Sequence, residues 1–344
     1  MAPSFRAYFV ISVLFFLTGL AGCGNAPENF PGPAVERNPA YAALNDSIRS
    51  FPKDASLYLR RARRLSLENA HELAYSDFKK AWSLQPSVET GLPYAANLQI
   101  LGKTSERLAL LKAGNRQFPE NQQMQRLLAD AYSGSGNRDL ALRQYGEILA
   151  KDPKDFETWY EQGLLLEQLK DTAAAISSLQ KAYALQAVAT YGLELAHLYA
   201  EQKNAKALEI CNNILKADSA SQLIDPLFIK GIYYSNISLY PKAIAQFDSC
   251  IQRDWKTTDA YLEKGIAYFR MQNYDAAIHT FNMAITVSNT DPDAYYWLGR
   301  SYEAIHRKAD AISNYQRTLS LDRRFTEAKE AIERLKSGFG DASH

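Results

Sequence analysis

Between residues 231 and 315 the same residue classes recur every 34 positions. Gly231, Gly265 and Gly299 form one column, Tyr234, Tyr268 and Tyr302 a second, Ala243, Ala277 and Ala311 a third, and Phe247, Phe281 and Tyr315 a fourth. Residues 265–285, GIAYFRMQNYDAAIHTFNMAI, show the unit: a small residue, an aromatic three later, a polar break, then alanine with an aromatic four beyond it. These spacings put Gly265 and Tyr268 one turn apart on a first helix. They put Ala277, Phe281 and Ala284 on one face of a second. The small residues let helix backbones approach, while the aromatics fill the volume between successive pairs. An arginine at Ala277 is expected to overpack that contact and unfold the neighbouring units.

Followed backwards, the pattern resembles the tetratricopeptide repeat (TPR), whose signature is W-x2-L-G-x2-Y, then A-x3-F, A and P. The first unit has Tyr58, Ala62, Leu65, Ala74, Phe78, Ala81 and Pro86; the third has Leu128, Ala129, Tyr132, Ala141, Tyr145 and Pro153; the fourth has Trp159, Gly163, Ala175, Leu179 and Ala182. The second unit departs, with Arg107 where alanine belongs and Pro93 inside its first helix, and in the fifth Ala207 comes one residue early. The resemblance implies an all-α TPR superhelix of about seven or eight helix-turn-helix repeats over 55–324. The repeats fall at approximately 55–87, 88–121, 122–155, 156–188, 189–223, 224–257, 258–291 and 292–325. A capping helix at 38–54 precedes them; a C-terminal capping helix at 325–336 and a tail at 337–344 follow.

The N-terminus carries a different pattern. Arg6 is followed by an uncharged run over 7–20, shorter than the about 20 apolar residues of a membrane-spanning helix and suited to a signal peptide. The run ends in Leu20, Ala21, Gly22 and Cys23, and L-A-G-C resembles the lipobox of bacterial lipoproteins. That resemblance implies that 1–22 are a signal peptide cut away and that Cys23 is lipidated. Two or three acyl chains hold a protein stably to a bilayer, where one does so only marginally. Residues 23–37, rich in proline, read as the lipidated cysteine and a flexible tether. Gly24 replaces the aspartate of an inner-membrane retention signal. A cell-envelope location is expected, at the outer membrane facing the periplasm if the source is Gram-negative.

Charge and chemistry narrow the function. Lys and Arg total 39 against 38 Asp and Glu, and loss of 1–22 removes only Arg6, so a globally basic nucleic-acid binder is not expected. The segment from His71 begins like H-E-x-x-H, but Tyr75 replaces the second histidine. The phosphate-binding and nucleophile-elbow patterns do not occur. No catalytic residue, metal site or cofactor is expected. Cys211 and Cys250 read as buried small hydrophobes, a disulfide between adjacent units being the alternative.

In the TPR family the first helices line a concave groove through positions 2, 5, 6, 9, 12 and 13 of each repeat. Carried onto this sequence, the groove runs from basic (Arg60, Arg63) through acidic (Asp130, Glu161, Glu167, Glu194) to apolar and aromatic, with Glu263 among the last. The partner-binding candidates are Tyr160, Phe228, Ile232, Ile266, Phe269, Arg270, Tyr296, Trp297 and Arg300. Arg60, Arg61, Arg63 and Arg64 read as a solvated helix face, with anionic lipid headgroups as the other reading. The expected function is a lipid-anchored envelope adaptor or scaffold that binds a protein or peptide, with the membrane reached through Cys23. The alternative is a glycan- or peptidoglycan-binding accessory subunit of an envelope enzyme system.

Overall fold

The computed structural model describes Val35 and residues 38–337. Cys23, the signal segment, nearly all of the tether and most of the C-terminal tail lie outside the described residues. Among those described are a short 3-10 turn (Pro39–Tyr41), eighteen α-helices and no strand. The protein is all-α.

Two compact units divide the chain at Phe118 and Pro119. The first holds α1 (Ala42–Ser50) and two helix pairs, α2 (Ala55–Leu67) with α3 (His71–Leu84) and α4 (Val88–Ile100) with α5 (Thr104–Gln117). The second holds six pairs: α6 (Gln122–Gly134) with α7 (Arg138–Lys151), α8 (Phe156–Gln168) with α9 (Thr172–Leu185), and α10 (Ala189–Glu201) with α11 (Lys206–Ala217). They continue with α12 (Asp225–Asn236) and α13 (Tyr240–Arg253), α14 (Thr258–Arg270) and α15 (Tyr274–Val287), α16 (Pro292–Ala304) and α17 (Lys308–Leu321). Helix α18 (Thr326–Ser337) closes the unit on α17.

Short polar side chains start many of these helices. Asp54, Asp155, Asp171, Asn273 and Asp291 each accept a backbone N–H of the first turn, and Ser87 and Thr90 form a reciprocal capping box. Each first helix then stops the same way. One residue per pair turns left-handed, at Asn69, Gly102, Gly136, Lys170, Lys203, Ser238, Gln272 and His306, and sends the chain back as the second helix. Pro93 sits inside α4 without ending it.

Between helices of a pair, the recurring glycines meet the recurring rings. A Cβ on Gly299 would lie 2.8 Å from the Tyr315 ring, and a Cβ on Gly231 or Gly265 would collide with Phe247 or Phe281. Ala243, Ala277 and Ala311 are fully buried at the same seams. The contact is close because glycine and alanine leave room for nothing else.

In the first unit the run of arginines does not form one face. Arg61 is buried: its guanidinium forks onto Asp77 at 2.6 and 2.7 Å and donates to Asn45 at 2.7 Å. Only 4% and 1% of the Arg61 and Asp77 side chains are exposed. Burial pushes the Asp77 carboxyl up, against the opposing pull of Arg61. Arg64 lies over the Tyr41 ring and donates to the Ala40 carbonyl, while Arg60 and Arg63 are exposed. Arg107, in α5, is also buried.

Cys211 and Cys250 are free thiols buried in separate clusters, the first among Tyr199, Ile210 and Ile214, the second beside Phe228, Phe247 and Ala260. Burial pushes each thiol up to about 12. A thiolate is the reactive form, so both are expected to be inert in the folded protein. In a Cys23→Ser background, an alkylating reagent at neutral pH should label neither until denaturant is added. Rapid labelling of the native protein would contradict this packing.

Candidate partner-binding groove

In the second unit, first helices of successive pairs touch: α6 with α8, α10 with α12, α12 with α14, and α14 with α16. They form a layer of their own, and the side chains they turn away from the second helices make its face.

Six of the nine candidates come together on α14 and α16. The Phe269 and Trp297 rings meet edge to face at 5.4 Å, Tyr296 lies 5.9 Å from Trp297, and Ile266 packs in the same cluster. The Arg300 guanidinium stands 5.1 Å from the Phe269 ring centre and 4.9 Å from that of Trp297; that of Arg270 stands 5.9 Å from the Trp297 ring centre. Phe228 and Ile232 belong to the neighbouring cluster, where Phe228 packs on Phe247 at 5.6 Å. Tyr160 belongs to neither. It pairs with Tyr191 at 4.5 Å.

Burial sorts these residues. Phe228, Ile266 and Trp297 are 7%, 8% and 8% exposed, so they chiefly hold helices together. Their truncation to alanine would be read as lost stability, about 3–5 kcal/mol for an aromatic. Phe269, Tyr296, Ile232, Tyr160 and Arg300 are half-buried and Arg270 is exposed. These six can be reached from solvent.

The face is also acidic. Glu161 is pushed up to about 7, by burial first, with Arg126 pulling against it and Asp130, Glu157 and Asp155 adding to it. Arg126 is already bonded to Asp155 at 2.8 Å and paired with Glu157. Glu263 is pushed up to about 7 by burial and then by Asp259 and Asp293. Asp293 is pushed up to about 6 by burial, with Asp291, Glu327 and Asp322 adding. Burial works to lower the His197 imidazole, but Glu201 at 3.5 Å, with Glu167 and Glu194, outweighs it and raises it.

The sequence reading placed Glu161 and Glu263 in the groove but passed over Asp225, Asp259, Asp293 and Glu327. They stand 34 residues apart. The signal was the same column arithmetic, applied to acids at the second position of the last three repeats and of the capping helix instead of to small and aromatic residues.

Comparison with known proteins adds the name of the repeat. Family models for the tetratricopeptide repeat match residues 126–191, 265–305 and 293–322. The chain carries tetratricopeptide repeats. In structure it is similar to a tetratricopeptide repeat protein from Parabacteroides merdae, at TM-score 0.60 and 17% identity over 72% of this chain and 98% of that one. It is similar also to PilW, a widely conserved type IV pilus biogenesis factor, at TM-score 0.54 and 15% identity over 62% and 99% of the two chains. The C-terminal part of a TPR repeat-containing protein from Cytophaga hutchinsonii matches at TM-score 0.51 and 15% identity, over 70% and 98%. At such identities the likeness is one of fold. No curated protein matches the chain in sequence. TPR stacks are protein-interaction scaffolds, and their chemistry lies in the side chains each one presents.

Proposed function

We propose that this protein is a lipid-anchored adaptor of the cell envelope, which holds a protein or peptide partner against the first-helix face of its TPR repeats. It acts without catalysis, in the assembly or regulation of an envelope complex. The observation that carries the binding half is the face itself. Half-buried aromatics and guanidinia on α14 and α16 are the residue types that anchor protein contacts, and they gather at one place on the stack.

The anchoring half rests on the L-A-G-C box ahead of Cys23, the charge-poor run before it and the proline-rich segment after it. A tether of this kind reaches about 3.3 Å per residue when extended, enough to hold the repeats some tens of ångströms from the lipid surface. A Gly24 in place of aspartate favours the outer membrane in a Gram-negative cell.

Cys23→Ser is expected to abolish acyl labelling and leave an uncut precursor. An acyl-labelled, detergent-phase product from that variant would overturn the anchor.

A further inference from the structure

Asp225, Asp259, Asp293 and Glu327 each stand in the first turn of a helix, on α12, α14, α16 and α18. A first-turn acid favours its own helix by about 0.3–1 kcal/mol, because the N-terminal N–H groups point towards it. Taken helix by helix, that explains the column. It does not explain Glu263, the sixth residue of α14, which lies beyond the first turn, where the helix end acts only weakly.

Glu263 is half-buried, and the charged groups that act on it are both acids: Asp259 on its own helix and Asp293 on α16. The cations on the helices around it are engaged elsewhere. Lys264 is bonded to Asp248 at 2.6 Å and Lys230 to Asn212 at 3.0 Å, while Arg270 and Arg300 lie against the Trp297 ring. Among the described residues nothing donates a hydrogen bond to this carboxyl.

The sixth residue of α8, Glu161, repeats the arrangement. Its Oε2 is shut off from solvent without a hydrogen-bond partner, and the guanidinium that acts on it, Arg126, is held by Asp155 and Glu157. A desolvated carboxyl without a donor costs the free protein stability, and an incoming cation would restore what it lacks.

We infer that the first-helix face of the second unit takes a lysine- or arginine-bearing segment of a partner protein, with Glu263, flanked by Asp259 and Asp293, receiving one basic side chain and Glu161 a second. This rests on the reading of that face as the partner-binding surface and adds the partner's chemistry. The acidic column supplies long-range attraction for a basic segment, and the two glutamates fix where its side chains stop.

The test is anisotropy of fluorescent octalysine with the full chain in detergent, with octaglutamate as the opposite-charge probe. Octalysine is expected to bind and octaglutamate to fail. Glu263→Gln keeps the shape of the side chain, should melt no lower than the parent, and should weaken octalysine binding by about tenfold or more. Removing exposed acids of the second helices, Asp275→Asn with Glu209→Gln, should leave it unchanged.

Affinity for octalysine should also fall as the pH is lowered from about 8 to about 6. Glu263 takes up a proton near 7 and Asp293 near 6, while lysine stays charged throughout. Glu263→Gln should blunt that dependence. Binding by Glu263→Gln equal to the parent, or equal weakening by the second-helix pair, would overturn the inference. If either result came while a partner still crosslinked to a photo-reactive residue at position 270, only the basic chemistry would fall and the binding face would stand.

Discussion

Replacing Asp77 with alanine is expected to destabilise the first unit by about 3–5 kcal/mol, a large share of what a unit of that size has to lose. The acid receives both prongs of Arg61 in a site that excludes water, with Asn45 taking a further N–H. Deleting it leaves a guanidinium that has neither water nor counter-charge. The loss therefore exceeds the net worth of the pair. Arg61→Met combined with Asp77→Leu removes both charges and should recover most of the stability, since apolar replacements of buried pairs are often neutral or better. Urea unfolding followed by circular dichroism measures both. A loss below about 1 kcal/mol for Asp77→Ala would mean that the pair is solvated or dispensable.

Ala277→Arg should be at least as damaging, at more than about 4 kcal/mol, because it joins two of the largest known penalties. Ala277 is fully sealed among Ile266, Phe281, Trp297 and Leu298. The seam has no slack, since even a methyl on Gly265 would meet the Phe281 ring. A guanidinium forced into it finds no counter-charge. Repeat arrays pass stability from neighbour to neighbour, so the loss should spread along the adjoining helices α14 to α17. Hydrogen exchange should show protection lost there and kept in α2 to α5. Undiminished protection of α14 and α15 would refute the packing.

Those seams were the most legible part of the chain. A glycine against a ring is a contact that few other residue pairs can make, so Gly231, Gly265 and Gly299 advertise it by recurring with Phe247, Phe281 and Tyr315. The all-α class follows from that recurrence. Arg61 was hidden for the opposite reason. In a run with Arg60, Arg63 and Arg64 it looks like one more solvated charge, and only its partners mark it. Asn45 and Asp77 stand 16 residues before and after it, an offset that also joins Gln162 to Ser178 and Lys264 to Asp248. The seventh residue of these three first helices thus faces a second helix, and in each case a polar residue 16 away meets it.

The binding face was legible as a list of positions and illegible as a surface. Neighbouring positions on a first helix differ by about 100° of rotation, so the seam and the open face share a border that sequence alone does not draw. Phe228, Ile266 and Trp297 fell on the buried side of it, Phe269 and Arg270 on the open side. The charges that bear on Glu161 and Glu263 come partly from other repeats, Arg126 and Asp130 on the first and Asp293 on the second, and no single repeat contains that information.

The central claim, that a partner protein is held on the first-helix face, is tested most directly by a photo-crosslinking residue placed at Arg270 in living cells, with the same residue at Met283 on the second helix α15 as its counterpart. Both positions are exposed. A discrete adduct from position 270 and none from position 283 is the expected result; an adduct from 283 with none from 270 would contradict it.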